Sequence, residues 1–242
     1  MTDDIGHIEI ADLHTHTIFS DGRMNPGEVW GLARERGLRL GISDHCGEGS
    51  FQINSDPEFL EYLQALEGYP IYRSAELDLG TEVRISPDLL NRCDYLIGGV
   101  HSLGTVNFFD PNAVVPEPEQ VKEGMLELIR EKSEKFRFDI LAHPGLLPLK
   151  LRDRSDILLD EEWGRHLIEL ALEFGFVLEI SNRWRLPGPD IIRQAREAGV
   201  RFSLGSDGHC PDSVCRLDYS LEMVDRLKID PDMIFHPGSA GR

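Results

Sequence analysis

Seven short runs rich in Ile, Val and Leu punctuate the chain, and a longer stretch of helical period or a loop follows each. The runs are HIEIADL, LRLGIS, IYRSAELDL, DYLIGGV, FDILA, FVLEIS and RFSLGS. Continuous apolar runs of this length read as buried strands, whereas NPGEVWGLARERG, DPEFLEYLQALEG, SPDLLNRC, PEQVKEGMLELIREKSEKF, DEEWGRHLIELALEFG, GPDIIRQAREAG and PDSVCRLDYSLEMVDRLK carry helical spacing. Strands separated by such crossovers predict a parallel sheet, which hides its two faces most simply by closing into a barrel. A length of 242 residues, 40% of them hydrophobic, suits one α/β barrel. The expectation is a single domain over residues 1–242, with a short tail from about residue 230. Asn25-Pro26 offers a helix start, and Gly37, Gly175 and Gly199 close helices. The stretch SLGTVNFFDPNAVVP, residues 102–116, is the longest without clear structure, and loops of that length are often functional.

In a parallel barrel the C-terminal strand ends build the active site. Six of the nine histidines fall at those ends: His14 and His16 in DLHTHT, His45 in SDH, His101 in GGVHS, His143 in LAHPG and His209 in GSDGH. The other three, His7, His166 and His236, lie before the first strand, in a helix and in the tail. Acids accompany the six: Asp21, Asp44, Glu76 and Asp207. Alternate residues of an extended strand share a side, so His14 and His16 would aim both imidazoles at one point.

Six imidazoles with Asp21, Glu76 and Asp207 exceed what one four- to six-coordinate ion accepts. Without a thiolate set, the ligands suit Zn, Mn or Fe. Two or three ions sharing a bridging carboxylate would turn a water into hydroxide and clamp both oxygens of an in-line displacement, which is a phosphoesterase arrangement. Divalent cations outweighing these carboxylates would leave the site net positive. The chain as a whole has a formal net charge of −18, which argues against duplex nucleic acid or an anionic membrane as partner. A small phosphorylated substrate in the cleft remains compatible with it. The N-terminus MTDDIGHIEI has no basic-then-apolar leader, no run is long enough to span a bilayer, and the four cysteines form no CxxC pair. The expected location is the cytoplasm.

The series DLHTHT, SDH, AELDL, GGVHS, LAHPG and GSDGH, in this order over about residues 10–210, resembles the polymerase-and-histidinol-phosphatase (PHP) superfamily. The resemblance implies a distorted (β/α)7 TIM-like barrel with a trinuclear metal centre. By motif, His14, His16, Glu76 and Asp207 would hold one ion. Glu76 would bridge to a second, completed by His101 and His143, and Asp21, His45 and His209 would hold the third. Glu76, Asp207 and His209 are thus the catalytic candidates as well as ligands, and Asp44 is expected to orient a ligand imidazole. The implied activity is hydrolysis of a phosphate monoester by a metal-bridging hydroxide, most simply that of a histidinol-phosphate phosphatase of histidine biosynthesis. A nucleotide or oligonucleotide phosphodiesterase, a phosphoprotein phosphatase and a non-catalytic metal-binding module stay open as alternatives.

The sixth run offers no obvious ligand but is followed by Arg183 and Arg185, candidates to fork onto phosphate oxygens. Lys150 and Arg152, in the basic stretch GLLPLKLRDR, are further phosphate-binding candidates, and Arg216 after GSDGH is a weaker one. Cys46 and Cys210 directly follow ligand histidines and read as packing thiols.

Overall fold

The computed structural model describes residues 10–238, so His7 and the start of the first run lie outside the described residues. The strands are β1 (Ala11–Asp12), β2 (Arg39–Ile42), β3 (His45–Cys46), β4 (Tyr72–Arg73), β5 (Glu76–Asp78), β6 (Ile97–Gly99), β7 (Ser102–Leu103), β8 (Val106–Asn107), β9 (Ile140–Leu141), β10 (Val177–Ser181) and β11 (Phe202–Gly205). β1, β2 and β4 form one parallel sheet, and β11, β10, β9, β6, β5 and β3 form a second. The third apolar run contributes to both sheets, and the second supplies β2 while the residues just after it supply β3, because each path is interrupted. At the interruption the buried Tyr62 hydroxyl reaches the carbonyl oxygens of Ile42 and Ser74, at 3.0 and 2.6 Å. The hydroxyl thus ties the two segments together at the break, beside the Ser74 N–H to Ile42 O bond that still pairs them.

Backbone bonds join the two sheets into a ring of seven strand positions. Ser74 N–H donates to Ile42 O and Glu76 N–H to Asp44 O, and on the other side Leu13 N–H donates to Leu204 O. The fold is therefore an α/β, distorted TIM-like barrel, irregular at the second and third positions. All strands run parallel around it, so their C-terminal ends open on one face.

Helices α1 (Pro26–Glu35), α2 (Asp56–Leu66), α3 (Pro87–Leu90), α4 (Pro118–Lys135), α5 (Ser155–Leu158), α6 (Glu161–Phe174), α7 (Pro189–Glu197) and α8 (Asp218–Arg226) surround the strands. Asn25 and Glu28 close a reciprocal capping box at α1, as the Asn25-Pro26 start predicts. Gly175 ends α6 in the left-handed conformation at φ 80°. α6 buries Trp163, Leu167, Ile168, Leu170 and Ala171, a stripe of helical period laid on the sheet. Leu13, Tyr95, Ile97, Ile140, Ala142, Val177 and Phe235 pack together as the interior plug.

Two expectations change. The stretch 102–116 contains the antiparallel hairpin β7–β8. The last helix begins at Asp218 and not at Pro211, because Cys215 adopts φ 57° and its N–H donates to the buried Asp12 carboxylate at 2.8 Å. Beyond residue 230 the chain still packs: Phe235 N–H donates to Phe202 O at 2.7 Å.

Candidate metal centre

Around the carboxylate of Glu76, which is 0% exposed, stand five imidazoles, that of His16 the farthest with its Nε2 3.6 Å from Oε2. Glu76 Oε2 lies 3.2 Å from His14 Nε2 and 2.8 Å from His45 Nδ1. Its Oε1 lies 3.4 Å from His101 Nε2 and 3.2 Å from His143 Nε2. Asp207 Oδ1 is 3.1 Å from His16 Nε2 and 3.4 Å from His209 Nδ1. Asp21 Oδ1 is 3.0 Å from His209 Nε2 and 3.6 Å from His45 Nε2. All nine candidate ligand side chains, Asp21 from the loop after the first strand among them, thus meet in one cluster. They sit at and beneath a cleft of about 410 Å³, whose other lining residues include Phe51, Asp78, Phe109, Arg183 and Trp184. Gly99 makes room for this, since a Cβ there would collide with Glu76 and His101.

Hydrogen bonding inside the protein does not satisfy this cluster. His14 Nε2, both ring nitrogens of His16, His45 Nδ1, His101 Nδ1 and Glu76 Oε2 are buried without a properly directed hydrogen bond. Each such group ordinarily costs about 1–3 kcal/mol. Burial lowers the affinity of His14 for a proton, yet Glu179 and Glu76 outweigh it and hold the imidazole well above its ordinary pKa. His101 is pushed up to about 9 against burial, chiefly by Glu76. Burial would raise Glu76 and Asp207, but the surrounding imidazoles hold both well below the carboxylate range. His16, buried and facing His45 and His209, is pushed well below its ordinary value. The carboxylates demand cations, and protons on some imidazoles meet that demand only at the expense of others. Divalent ions fit such a donor set, offered as deprotonated nitrogen and oxygen. Ligand atoms close enough for one ion occur in the groups His16–Asp21–His45–His209, His14–His16–Glu76 and His45–Glu76–His101.

The PHP domain family model matches residues 12–183. The chain belongs to the PHP family. It is accordingly a metal-dependent phosphoesterase. Among curated relatives, the "Probable histidinol-phosphatase" of Deinococcus radiodurans is 27% identical over 233 residues, covering 85% of this chain and 88% of the relative. The "Probable phosphatase TTE1963" of Caldanaerobacter subterraneus subsp. tengcongensis is 25% identical over 246 residues, covering 94% and 87%. The crystal structure of the "putative histidinol phosphatase hisK" from Listeria monocytogenes superposes with a TM-score of 0.66 at 19% identity, covering 87% of this chain and 99% of that one. Such a likeness supports the barrel seen here.

Around the PHP centre, two buried carboxylates escaped the sequence reading. Glu179, in the sixth run, accepts from His14 Nδ1 at 2.8 Å and from His143 N–H at 2.6 Å. Asp78, two residues after Glu76, lines the cleft 3.9 Å from His101 Nδ1. Both are acids inside apolar strand sequences, and that was their available signal, because a buried charge needs a partner. Asp44 does not orient an imidazole: its carboxylate takes Thr17 N–H at 2.7 Å, Thr17 Oγ1 at 2.6 Å and Ser20 Oγ at 2.5 Å. It fixes the turn that delivers Asp21.

Among the basic candidates, Arg183 alone lines the cleft, its Nη1 lying 3.6 Å from Asp207 Oδ1 and 2.7 Å from His209 Nδ1. Arg185, at φ 54°, turns away and stacks on Tyr219 at 4.7 Å, beside a separate surface depression. Lys150 donates to Ala113 O at 2.7 Å, and Arg152 donates to Leu147 O and Phe108 O at 2.9 and 3.0 Å. Those two strap the 102–116 segment to the following turn. Arg152 also stacks at 4.8 Å on both Phe109 and Trp184. Arg216 bonds Asp212 O on the surface. Cys46 is buried, and burial pushes its thiol well up, which matches a packing role. Cys210, half-buried, lies 3.3 Å from Ser213 Oγ.

Proposed function

We propose that this PHP enzyme hydrolyses a small phosphate monoester at a three-ion centre, with histidinol phosphate as the leading substrate. The observation that carries the reading is the convergence of nine His, Asp and Glu side chains at and beneath a cleft lined by Arg183. The name of the Deinococcus radiodurans relative supports the choice of substrate. His14, His16, Glu76 and Asp207 would hold one ion, Glu76, His101 and His143 a second, and Asp21, His45 and His209 the third. His45, facing Glu76 by one nitrogen and Asp21 by the other, stands at the boundary between two of these subsites.

When bound, the ions supply a hydroxide nucleophile at neutral pH and positive charge against the phosphoryl oxygens. The protein's own side chains supply position and field. Glu76 offers one oxygen to each side of the cluster. Arg183 presents N–H donors at the cleft edge, where they stabilise charge on oxygens that the ions leave uncovered. Phe109 and Trp184, with ring centroids 6.0 Å apart, wall one side of the cleft. The test is an assay of Mn-, Fe- and Zn-loaded protein against histidinol phosphate, nucleotide monoesters, bisphosphonucleotides and diesters. Selective turnover of a monoester is expected. Selective turnover of a diester would assign the diesterase reading, and no turnover with any metal would assign a regulatory one.

A further inference from the structure

β10, formed by the sixth apolar run, supplies no candidate ligand, yet its central acid reaches two candidate ligands at once. Glu179 is 1% exposed and lies on β10 between apolar neighbours. Its Oε1 is 2.8 Å from His14 Nδ1, and its Oε2 accepts the backbone N–H of His143 at 2.6 Å. His14 Nε2 then points at Glu76 Oε2, 3.2 Å away, with no hydrogen bond of its own. A carboxylate on Nδ1 favours the tautomer with its proton there and leaves the Nε2 lone pair for an ion. The contact to His143 differs in kind. His143 has φ 30°, a left-handed backbone that a residue with a Cβ rarely adopts and that surrounding bonds must hold. Its Nε2 lies 3.2 Å from Glu76 Oε1, the other oxygen of the central carboxylate.

We propose that Glu179 is a positioning residue that couples two metal subsites, one through the His14 ring and one through the His143 backbone. This rests on the metal-centre reading above. Gly205, two residues beyond Ser203, the partner of Glu179 on β11, belongs to the same device. A Cβ there would collide with Glu179 Oε1 and come within 2.7 Å of His14 Cβ, so a larger residue displaces the carboxylate from its place. The sixth position thus contributes to the centre from beneath, where no ligand motif reveals it.

The test uses the full chain dialysed against buffered Mn2+, with bound metal counted by elemental analysis. Glu179→Gln should require about 10- to 100-fold more free Mn2+ to fill two of the sites, the range typical of lost ligand-orienting partners, and should leave the remaining site near wild type. Gly205→Ala should reproduce the pattern. Apparent KM at saturating metal should stay within about twofold, since Glu179 touches no part of the cleft surface. A wild-type titration in folded Glu179→Gln, or the weakening of a single site only, overturns the coupling. Should neither variant fold, nitrogen NMR of the Zn-loaded wild-type protein decides. His14 must carry its proton on Nδ1, and a proton on Nε2 overturns the proposal. Wild-type protein that binds neither Mn2+ nor Zn2+ overturns the metal-centre reading itself, an outcome distinct from a wild type that binds and a variant that binds equally well.

Discussion

The floor and the rim of the cleft use the same residue types but hold them differently. At the floor Glu76 is 0% exposed, His14 is fixed through Glu179, and Gly99 leaves no slack beside the carboxylate. At the rim the Asp21 side chain is 45% exposed and meets His209 and His45 directly, while Asp44 fixes the preceding turn only through Thr17 and Ser20. Buried charges surrounded by fixed partners are costly to disturb, whereas partly solvated pairs contribute less and adjust. The floor should therefore retain its ions tightly, and the rim should exchange its ion with the medium.

Glu76→Gln should have the largest effect. It removes the charge shared by His14, His45, His101 and His143, and kcat/KM should fall by at least about a thousandfold, ~4 kcal/mol of barrier. Added Mn2+ should not restore it. Asp21→Asn should cost about 10- to 100-fold at low metal and recover largely as Mn2+ is raised, which a rate-against-metal titration reads. Equal rescue of both variants would erase the distinction between floor and rim.

The two arginines after β10 offer a smaller contrast. Charge-assisted hydrogen bonds contribute about 1.5–3 kcal/mol, so Arg183→Ala should lower kcat/KM by roughly 10- to 100-fold. Arg185→Ala, turned onto Tyr219, should leave it within about twofold in the same steady-state assay.

A further contrast concerns the metal-free protein and pH. His101 stands at about 9 when folded against 6.5 ordinarily, so its stabilising contribution is complete below pH 6.5 and is lost as pH rises through 9. Glu76 and Asp207 are depressed, so theirs is present above the ordinary carboxylate range and fails only in strong acid. Denaturant unfolding should show metal-free protein less stable at pH 9 than at pH 6.5, by on the order of 1–3 kcal/mol. Metal affinity should move the opposite way, rising with pH because the ligands must lose their protons.

The candidate ligands were legible in the sequence because strand periodicity and barrel geometry place C-terminal strand residues on one face, whatever the helices between them do. His14 and His101 follow directly from their strands, whereas His143 and Asp207 reach the same face through a left-handed residue just past the strand end, at φ 30° and 49°. The basic residues were not legible in the same way. Whether Arg185 enters the cleft depends on one positive φ and on Tyr219 from a later helix, and Lys150 is claimed by a carbonyl 37 residues away. Glu179 was hidden for another reason: its role depends on the register of β10 against β9 and β11, which no local pattern reports.

Elemental analysis of wild-type and Asp21→Asn protein, each dialysed to equilibrium in limiting Mn2+, tests the central claim most directly. The account predicts three ions per wild-type chain and two in Asp21→Asn, the floor pair remaining. A single ion per wild-type chain, or the loss of all ions from Asp21→Asn, would contradict it.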